Sequence, residues 1–575
     1  MSKSKTRSEI AAALGACRGA FIGIGVFSGF INVLALSGSL FMMEVYDRVI
    51  PSGSLPTLTG LFALVAILYL FQGALDLMRT RLLTRIGASL DQSLGSRVFD
   101  AVIGLQLRAP RVGETSQPLR DLDMIRGFLS SSGPSAFFDL PWLPFYLGIC
   151  FLFHKLLGLA VLGGAIFLIF LTLLTELMSR LPTQETARYS VARSRMMEMS
   201  RRNAEALVAM GMAGRVKQRW QEVSRRHIDA QQSTSDTSGG FGGFGRVFRM
   251  LLQSGVLAIG AYLVIGQEAT SGVIIAGSIL SARALAPIDL AISNWKSFSA
   301  ARQAKQRLDK LLVLLPERDD PMPLPAPQFA VAVQGLAAAP PEAQRIVVQD
   351  INFVLKPGNG LGIIGPSASG KSSLARLLVG VWSPQRGTIK IDGAPLSQWS
   401  SEALGAHIGY LPQDVELLEG TVAENISRFD TAATPEKIVA AAKAAFIHEL
   451  VLGLPQGYDT PIGEQGESLS SGQKQRIALA RALFGDPFLV VLDEPNSNLD
   501  AEGEEALTQA MLGVRERGGI VVVIAHRPSA LGAVDLVLAM AGGRQQAFGP
   551  KDEVLAKVLQ SSSGLKVVSK PAAVS

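Results

Sequence analysis

The run "GPSASGKSS" comprises Gly365, Pro366, Ser367, Ala368, Ser369, Gly370, Lys371, Ser372 and Ser373. These residue types at this spacing suit a nucleoside triphosphate. The two glycines permit backbone angles that turn several N–H groups onto phosphate oxygens. Lys371 brings a cation to the β- and γ-phosphates, and the Ser372 hydroxyl is a ligand for Mg2+. A helix starting here points its positive end at the anion. The flanks agree: "GLGIIG" reads as a buried strand entering the loop, and "SSLARLLVGV" has helical spacing.

A second stretch supplies carboxylates. In "FLVVLDEP" (Phe488–Pro495) an apolar strand ends at Asp493, where the carboxyl ends of parallel strands meet ligand. Asp493 is expected to hold Mg2+ and the adjacent Glu494 to act as general base on the attacking water. A plain surface carboxylate is the weaker reading of Glu494. A third stretch, "LSSGQKQRIALARAL" (Leu469–Leu483), begins with Ser470 and Ser471 as helix caps and Gly472 exposing backbone N–H groups, a second anion-binding helix start. One nucleotide does not need two cradles, and taken alone this stretch reads equally as an ordinary capped helix.

The elements that must position these residues occupy only part of the chain. At 575 residues, two or more domains are expected. Hydrophobic residues make up 48% and charged residues 18%, and the mean hydropathy of +0.30 leans toward a membrane part. The apolar residues are crowded into the first ~300 positions, and helix–strand alternation fills the rest. Stretches of roughly 20 apolar residues, the length a spanning helix needs, lie near Ala20–Met43, Leu55–Leu77, Ser135–Phe153, Leu156–Met178, Val247–Gly266 and Gly272–Ile292. Segments 79–130 and 180–245 are too polar for lipid but helical in pattern, and read as helices running on into the cytoplasm. "PERDDPMPLPAPQ" (Pro316–Gln328) is a proline-rich break. The chain therefore divides into a transmembrane domain over 1–312, a linker over 313–328, a nucleotide domain over 329–560 and a flexible tail over 561–575.

Charge orients the spans. Between the second and third lie Arg79, Arg81, Arg85, Arg97, Arg108, Arg111, Arg120 and Arg126, and the segment between the fourth and fifth is equally rich in arginine, whereas the alternate loops offer little beyond Arg48 and Lys155. Cationic loops stay cytoplasmic, so both termini and the nucleotide domain face ATP inside the cell. The net charge of +6 lies beside apolar segments rather than on one soluble face, which argues against nucleic acid. Cys17 and Cys150, the only cysteines, lack any metal-ligand spacing and read as small buried side chains. The basic N-terminus precedes a long apolar run without a small-residue cleavage site, so a retained first span is expected rather than a signal peptide. In "FFDLPWLPFY", Pro141 and Pro144 remove backbone donors and should bend or break the third span. Asp139 there reads first as part of an interfacial helix entrance anchored by Trp142 and Tyr146, and second as a lining residue. The glycine-rich Ser238–Gly245 is either a hinge or a site of close helix approach.

Taken in order, "GPSASGKSS", "LSSGQKQR", "VVLDEP", "SNLD" and "IAHR" resemble the ATP-binding cassette (ABC) of transporters, over Gly335–Gly549. The resemblance implies an α-helical six-span transmembrane domain of the ABC exporter type followed by an α/β P-loop ATP-binding cassette, working as a homodimer. It explains the second cradle: each ATP is held by one subunit's P-loop and capped by the other's Ser470, Ser471, Gly472 and Gln473. It also implies that Gln413 lies near Mg2+ and the water, that Asp500 ends a loop at the shared face, that His526 contacts the γ-phosphate, and that "GEQGE" (Gly463–Glu467) touches the transmembrane part. Two departures stand out: LSSGQ replaces the common LSGGQ, and "GLAAAPPEAQRIVV" lacks the aromatic that usually stacks on adenine. "MMEVYDRVIPSGSLPTL" and "FFDLPWLPFY" are similar to type I secretion permease/ATPases of the protease- and lipase-exporting kind. That likeness implies export of an unfolded protein with a C-terminal signal across the inner membrane, with a periplasmic adaptor and an outer-membrane tunnel protein; because the first span begins near residue 20, no leader-cleaving domain is expected. The competing readings are an exporter of lipids or small amphiphiles, a non-transport cassette ATPase, which the apolar spans oppose, and an ATP-regulated membrane sensor.

Overall fold

The computed structural model describes residues 8–108, 117–316, 322–341, 343, 345–463, 466–497, 499–525 and 528–562. The chain splits into two compact units, the first taking 1–106 and 112–317 and the second 107–111 and 318–575. The first is helical: α1 (Glu9–Ala16), α2 (Arg18–Leu34), α3 (Ser37–Glu44), α4 (Leu55–Arg108), α5 (Gln117–Leu129), α6 (Gly133–Asp139), α7 (Leu143–Phe153), α8 (Lys155–Arg202), α9 (Ala213–Ile265) and α10 (Ser271–Leu314). Among the described residues, six helical stretches are long and apolar enough to cross a membrane, beginning at Arg18, Leu55, Gly133, Lys155, Ala213 and Ser271. Each contains one of the apolar runs read from the sequence. At 1.5 Å per residue the 54-residue α4 is roughly 80 Å long, against a hydrocarbon core of about 30 Å, so much of it must lie outside lipid.

α10 is central. It packs on α3, α5, α6, α7, α8 and α9, and half of its most apolar window is buried, the largest share of any span. Tyr146, Leu157, Leu263 and Leu280 form the core where α7, α8, α9 and α10 meet. The third span is broken as its prolines require: α6 ends at Asp139, a 3-10 turn covers Leu140–Trp142, and α7 restarts at Leu143. The first span ends in a π-helical turn over Val45–Val49. Asp47 in that turn caps α10 by accepting from the Gly272 N–H at 2.8 Å and the Thr270 hydroxyl at 2.7 Å.

Asp139 is paired within the helical unit. Its carboxylate accepts from the Arg79 guanidinium at 3.0 and 3.1 Å and from Asn32 Nδ2 at 2.9 Å. Arg79 also donates to Ser28 Oγ at 3.1 Å and to Asp76 Oδ1 at 2.7 Å. Tyr146 is 1% exposed and donates to the Asn32 carbonyl at 2.7 Å, so it is a buried tie rather than an interfacial anchor. Tyr146 is therefore not the interfacial anchor read from the sequence, and once α2, α4 and α6 pack, the charge on Asp139 has a partner. Arg79, counted above among the flank charges, is 11% exposed and committed to this cluster.

The glycine-rich stretch forms neither a break nor, for most of its length, a close approach. Ser238–Gly245 lies inside continuous α9. A Cβ on Gly239, Gly240, Gly242 or Gly243 would meet nothing within 4 Å, and only Gly245 comes near a neighbour, with Leu171 at 3.4 Å.

The second unit carries a ten-stranded sheet of β1 (Val331–Ala338), β2 (Val348–Leu355), β3 (Gly360–Ile364), β4 (Arg386–Ile391), β5 (Ala394–Pro395), β6 (Ile408–Leu411), β7 (Leu489–Asp493), β8 (Ile520–Ile524), β9 (Leu536–Ala541) and β10 (Arg544–Pro550), in the order β5-β4-β1-β2-β10-β9-β3-β8-β7-β6. β9, β3, β8, β7 and β6 run parallel. "IVVVI" and "LVVLD" are buried along their whole length, as strands covered on both faces must be. Three helices serve the site: α11 (Lys371–Leu378), α12 (Ser471–Leu483) and α13 (Ala501–Glu516).

Two stability outcomes follow. Arg79→Ala strips the half-buried Asp139 of its cation and should cost roughly 2 kcal/mol, visible as a lower thermal midpoint of the detergent-purified protein. Gly240→Ala and Gly243→Ala should each raise stability by roughly 0.5–1 kcal/mol, because alanine adds helix propensity where space is open; a lowered midpoint would show that the stretch is packed in the assembled protein.

Candidate active site

Strand register converges the site. Ile363 of β3 and Asp493 of β7 both pair with Ile524 of β8, and Leu411 of β6 pairs with Leu492. The carboxyl ends of four parallel strands therefore share one edge, the position where open α/β sheets bind ligands. The loop Gly365–Gly370 leaves β3, Glu494 leaves β7, and Gln413 lies two residues past β6 on an exposed turn.

The phosphate loop is shaped by backbone that side chains would spoil. Gly365 has φ +154° and Gly370 φ +92°; a Cβ would lie 2.1 Å from the Met540 carbonyl at the first and 2.5 Å from the Val347 carbonyl at the second. Ala368 also adopts a left-handed φ of 63°. Lys371 opens α11, is only 5% exposed, and donates from Nζ to the Gly365 and Pro366 carbonyls at 3.0 Å each. Burial lowers its pKa, against the opposing pull of Glu494 and Asp493. Ser369 is 2% exposed and its hydroxyl finds no protein partner, an orphaned donor within the cradle. Pro366, Ser367 and Ser373 complete the loop and first helical turn. Val347 and Val348 border the loop at Gly370, so the neighbouring residues here are aliphatic.

Asp493 is 1% exposed, and burial raises its pKa. The Ser372 hydroxyl donates to Asp493 Oδ1 at 3.1 Å, joining the loop to the strand end. Two hard oxygens side by side suit Mg2+, which takes few protein ligands and keeps water and phosphate oxygens for the rest. No cluster of three or more His, Cys, Asp or Glu side chains able to hold a metal occurs among the described residues. Glu494 adopts φ 53°, held by its N–H on the Ile524 carbonyl at 3.2 Å. Backbone strain of this kind at a non-glycine residue persists where the surroundings dictate it, often at functional sites.

Ser470, Ser471, Gly472 and Gln473 sit elsewhere. Ser470 is the N-cap of α12: its hydroxyl accepts from the Gln473 N–H at 3.3 Å, and Gln473 Oε1 accepts from the Ser470 N–H at 2.9 Å. Gln473 is thus committed to the cap, and no hydrogen bond or ion pair among the described residues joins these four to the phosphate loop. Asp500 is the N-cap of α13, accepting from the Gly503 N–H at 2.9 Å and from Arg476 at 2.7 Å. These contacts, led by the Gly503 bond, lower its pKa. His526 lies outside the described residues, as do residues 464 and 465 of the "GEQGE" stretch.

Sequence reasoning missed two positioning residues inside a motif it quoted. Gln475 is 4% exposed and donates from Nε2 to the Pro495 carbonyl, while Arg476 holds Asp500. Together they tie the start of α12 to the chain leaving Asp493 and Glu494. The "QKQR" letters marked the place, but only packing reveals what the side chains grip.

Six apolar helices and a parallel-sheet phosphate-loop domain define an ABC transporter. The ABC transporter transmembrane region profile matches residues 21–287, and the ABC transporter profile matches 348–497. The chain is 55% identical over 575 residues to the "Type I secretion system ATP-binding protein PrsD" of Rhizobium meliloti (strain 1021), covering 99% of each. It is 29% identical over 549 residues to the "Leukotoxin translocation ATP-binding protein LktB" of Mannheimia glucosida, covering 94% of this chain and 76% of that one. The "Toxin RTX-I translocation ATP-binding protein" of Actinobacillus pleuropneumoniae is 29% identical over 543 residues, with 93% and 76% covered. In fold, the chain is similar to a bacterial Atm1-family ABC exporter with ATP bound, at TM-score 0.81 and 23% identity over 97% of this chain and 100% of that one. The chain belongs to the type I secretion system ATP-binding proteins of the ABC transporter family. It is a multi-pass inner-membrane protein that binds ATP and couples its hydrolysis to transport.

Lys371→Ala should lower ATP affinity about tenfold or more, since it removes the one buried cation of the loop; equilibrium nucleotide binding to the purified protein checks this.

Proposed function

We infer that this chain exports protein in a type I secretion system, driven by ATP. The observation that carries the reading is end-to-end similarity to a type I secretion ATP-binding protein, at 55% identity across both halves. Two more distant relatives are named for translocating toxins. Nothing among these relatives favours lipid or small amphiphile export. The cargo is an unfolded polypeptide with a C-terminal signal, passed to a periplasmic adaptor and an outer-membrane tunnel protein. The arginine-rich segments keep both termini and the cassette cytoplasmic.

The working unit is a homodimer. Among the described residues the cap of α12 makes no bond to the phosphate loop of its own protomer, which supports a second copy bringing Ser470, Ser471 and Gly472 against bound ATP. Gly365–Ser373 holds the phosphates, with Lys371 as the cation and the Ser369 hydroxyl as a donor awaiting an acceptor. Ser372 and Asp493 would hold Mg2+, joined by Gln413; the ion supplies charge neutralisation on the phosphate oxygens. Glu494 takes the proton of the attacking water, His526 contacts the γ-phosphate, and Asp500 lies at the shared face. Gln475 and Arg476 couple the cap of α12 to the Asp493–Glu494 exit, so closure of the dimer is felt at the base. Catalysis of this kind rests on positioning and charge stabilisation.

Glu494→Gln keeps the shape but not the base. Turnover should fall by at least about a hundredfold, while ATP binding persists and the closed dimer accumulates on size-exclusion chromatography. Normal turnover would remove Glu494 from this role, and full-speed hydrolysis by a strict monomer would remove the dimer.

A further inference from the structure

The cassette chemistry leaves a polar stripe in the helical unit unused. Tyr69, Gln72, Gly73, Asp76 and Arg79 recur at helical spacing on α4 and border one cavity of about 570 Å³. Arg283 and Pro287 of α10 line its other side. Polar groups on a spanning helix are costly against lipid, so this face looks onto protein or water.

The charges around the cavity are unequally committed. Arg79 donates to both Asp76 and Asp139, which leaves neither carboxylate without a cation. Arg283, by contrast, makes no hydrogen bond or ion pair among the described residues, and neither do the Gln72 amide and the Tyr69 hydroxyl. Arg283 and Tyr69 also border a second chamber of about 410 Å³ whose remaining lining is apolar, with Phe41, Phe62 and Ile279 in its wall. A free guanidinium thus stands where a polar chamber meets an apolar one.

We propose that the joined chambers are a cargo-contact site that takes an extended polypeptide segment bearing an acidic side chain beside an apolar one, with Arg283 as the specificity-determining residue. This rests on the protein-export reading. The planar guanidinium matches a carboxylate bidentately, and the neighbouring chamber accepts the apolar side chain. Gln72 offers a donor and an acceptor to the cargo backbone, whose amide groups need partners once drawn from water. An acyl chain has no use for such groups, which favours a peptide over an anionic phospholipid.

The test uses the full-length protein in phosphatidylcholine liposomes and a fluorescent peptide in which glutamate alternates with leucine, beside its glutamine-for-glutamate counterpart. The wild type should bind the glutamate peptide about tenfold tighter, the discrimination that one charge-assisted hydrogen bond supplies. Arg283→Ala should erase that preference, Arg283→Lys should retain part of it, and Arg283→Glu should turn it toward a lysine–leucine peptide, all with unchanged basal ATPase. Equal wild-type affinity for the two peptides overturns the role of Arg283 and leaves protein export standing. Binding of neither peptide overturns the site, and cargo secretion by cells carrying the wild-type chain then judges the export reading separately. If Arg283→Ala alters the response to phosphatidylglycerol and not to peptide, the site belongs to lipid and the proposal falls.

Discussion

The bond between Ser372 and Asp493 joins the parts on which the cassette depends. One partner lies in the first turn of the helix that follows the phosphate loop, and the other ends a strand buried throughout. A carboxylate at 1% exposure is tolerated only where something answers its charge, and burial alone already pushes its pKa up. Lys371 stands in the same strained balance from the other side, its ammonium disfavoured by burial and favoured by Asp493 and Glu494. The unit therefore holds opposite charges close together in a poorly solvated edge. There, fixed groups act more strongly on a phosphate than they would in water.

The same rule governs the helical unit in a different solvent. Lipid offers no hydrogen bonds, so polar side chains on spanning helices must find one another or face water. Arg79 answers this by gathering Ser28, Asp76 and Asp139 from three helices, and Asn32 carries the network on to Tyr146. Asp47 answers it at the start of α10 by taking up an orphaned N–H. The central position of α10, packed on most of the other helices, makes these ties effective, because a helix held on several sides cannot turn its polar groups to lipid.

Much of this was legible in one dimension. The phosphate loop, the apolar strand ending in adjacent carboxylates and the capped helix each carry a local signal, since each depends on a few consecutive residues with fixed backbone needs. The spans were legible because bilayer thickness sets a length. What escaped was most pairing between residues far apart in sequence; Ser372 and Asp493 were brought together only through the Mg2+ that both were expected to hold. Arg79 read as one basic flank residue among many until Asp139, 60 positions away, was seen beside it. Asp139 read as interfacial because proline and aromatic neighbours are typical of interfaces. Gln475 and Arg476 were in plain view within a motif, yet their grip on Pro495 and Asp500 depends on how α12 lies against the strand exits.

The sequence by itself determined the kinds of chemistry: a glycine-shaped anion cradle, a cation, paired carboxylates and enough apolar length to cross lipid several times. Those follow from backbone freedom, charge and hydrophobic run length, which are properties of neighbours in the chain. Only the tertiary structure decided which polar groups are satisfied and which, among the described residues, stand open: Arg79 is committed, while the Ser369 hydroxyl and the Arg283 guanidinium find no hydrogen-bond partner there. Satisfaction is a matter of distance in space, and parallel register and helix packing set that distance.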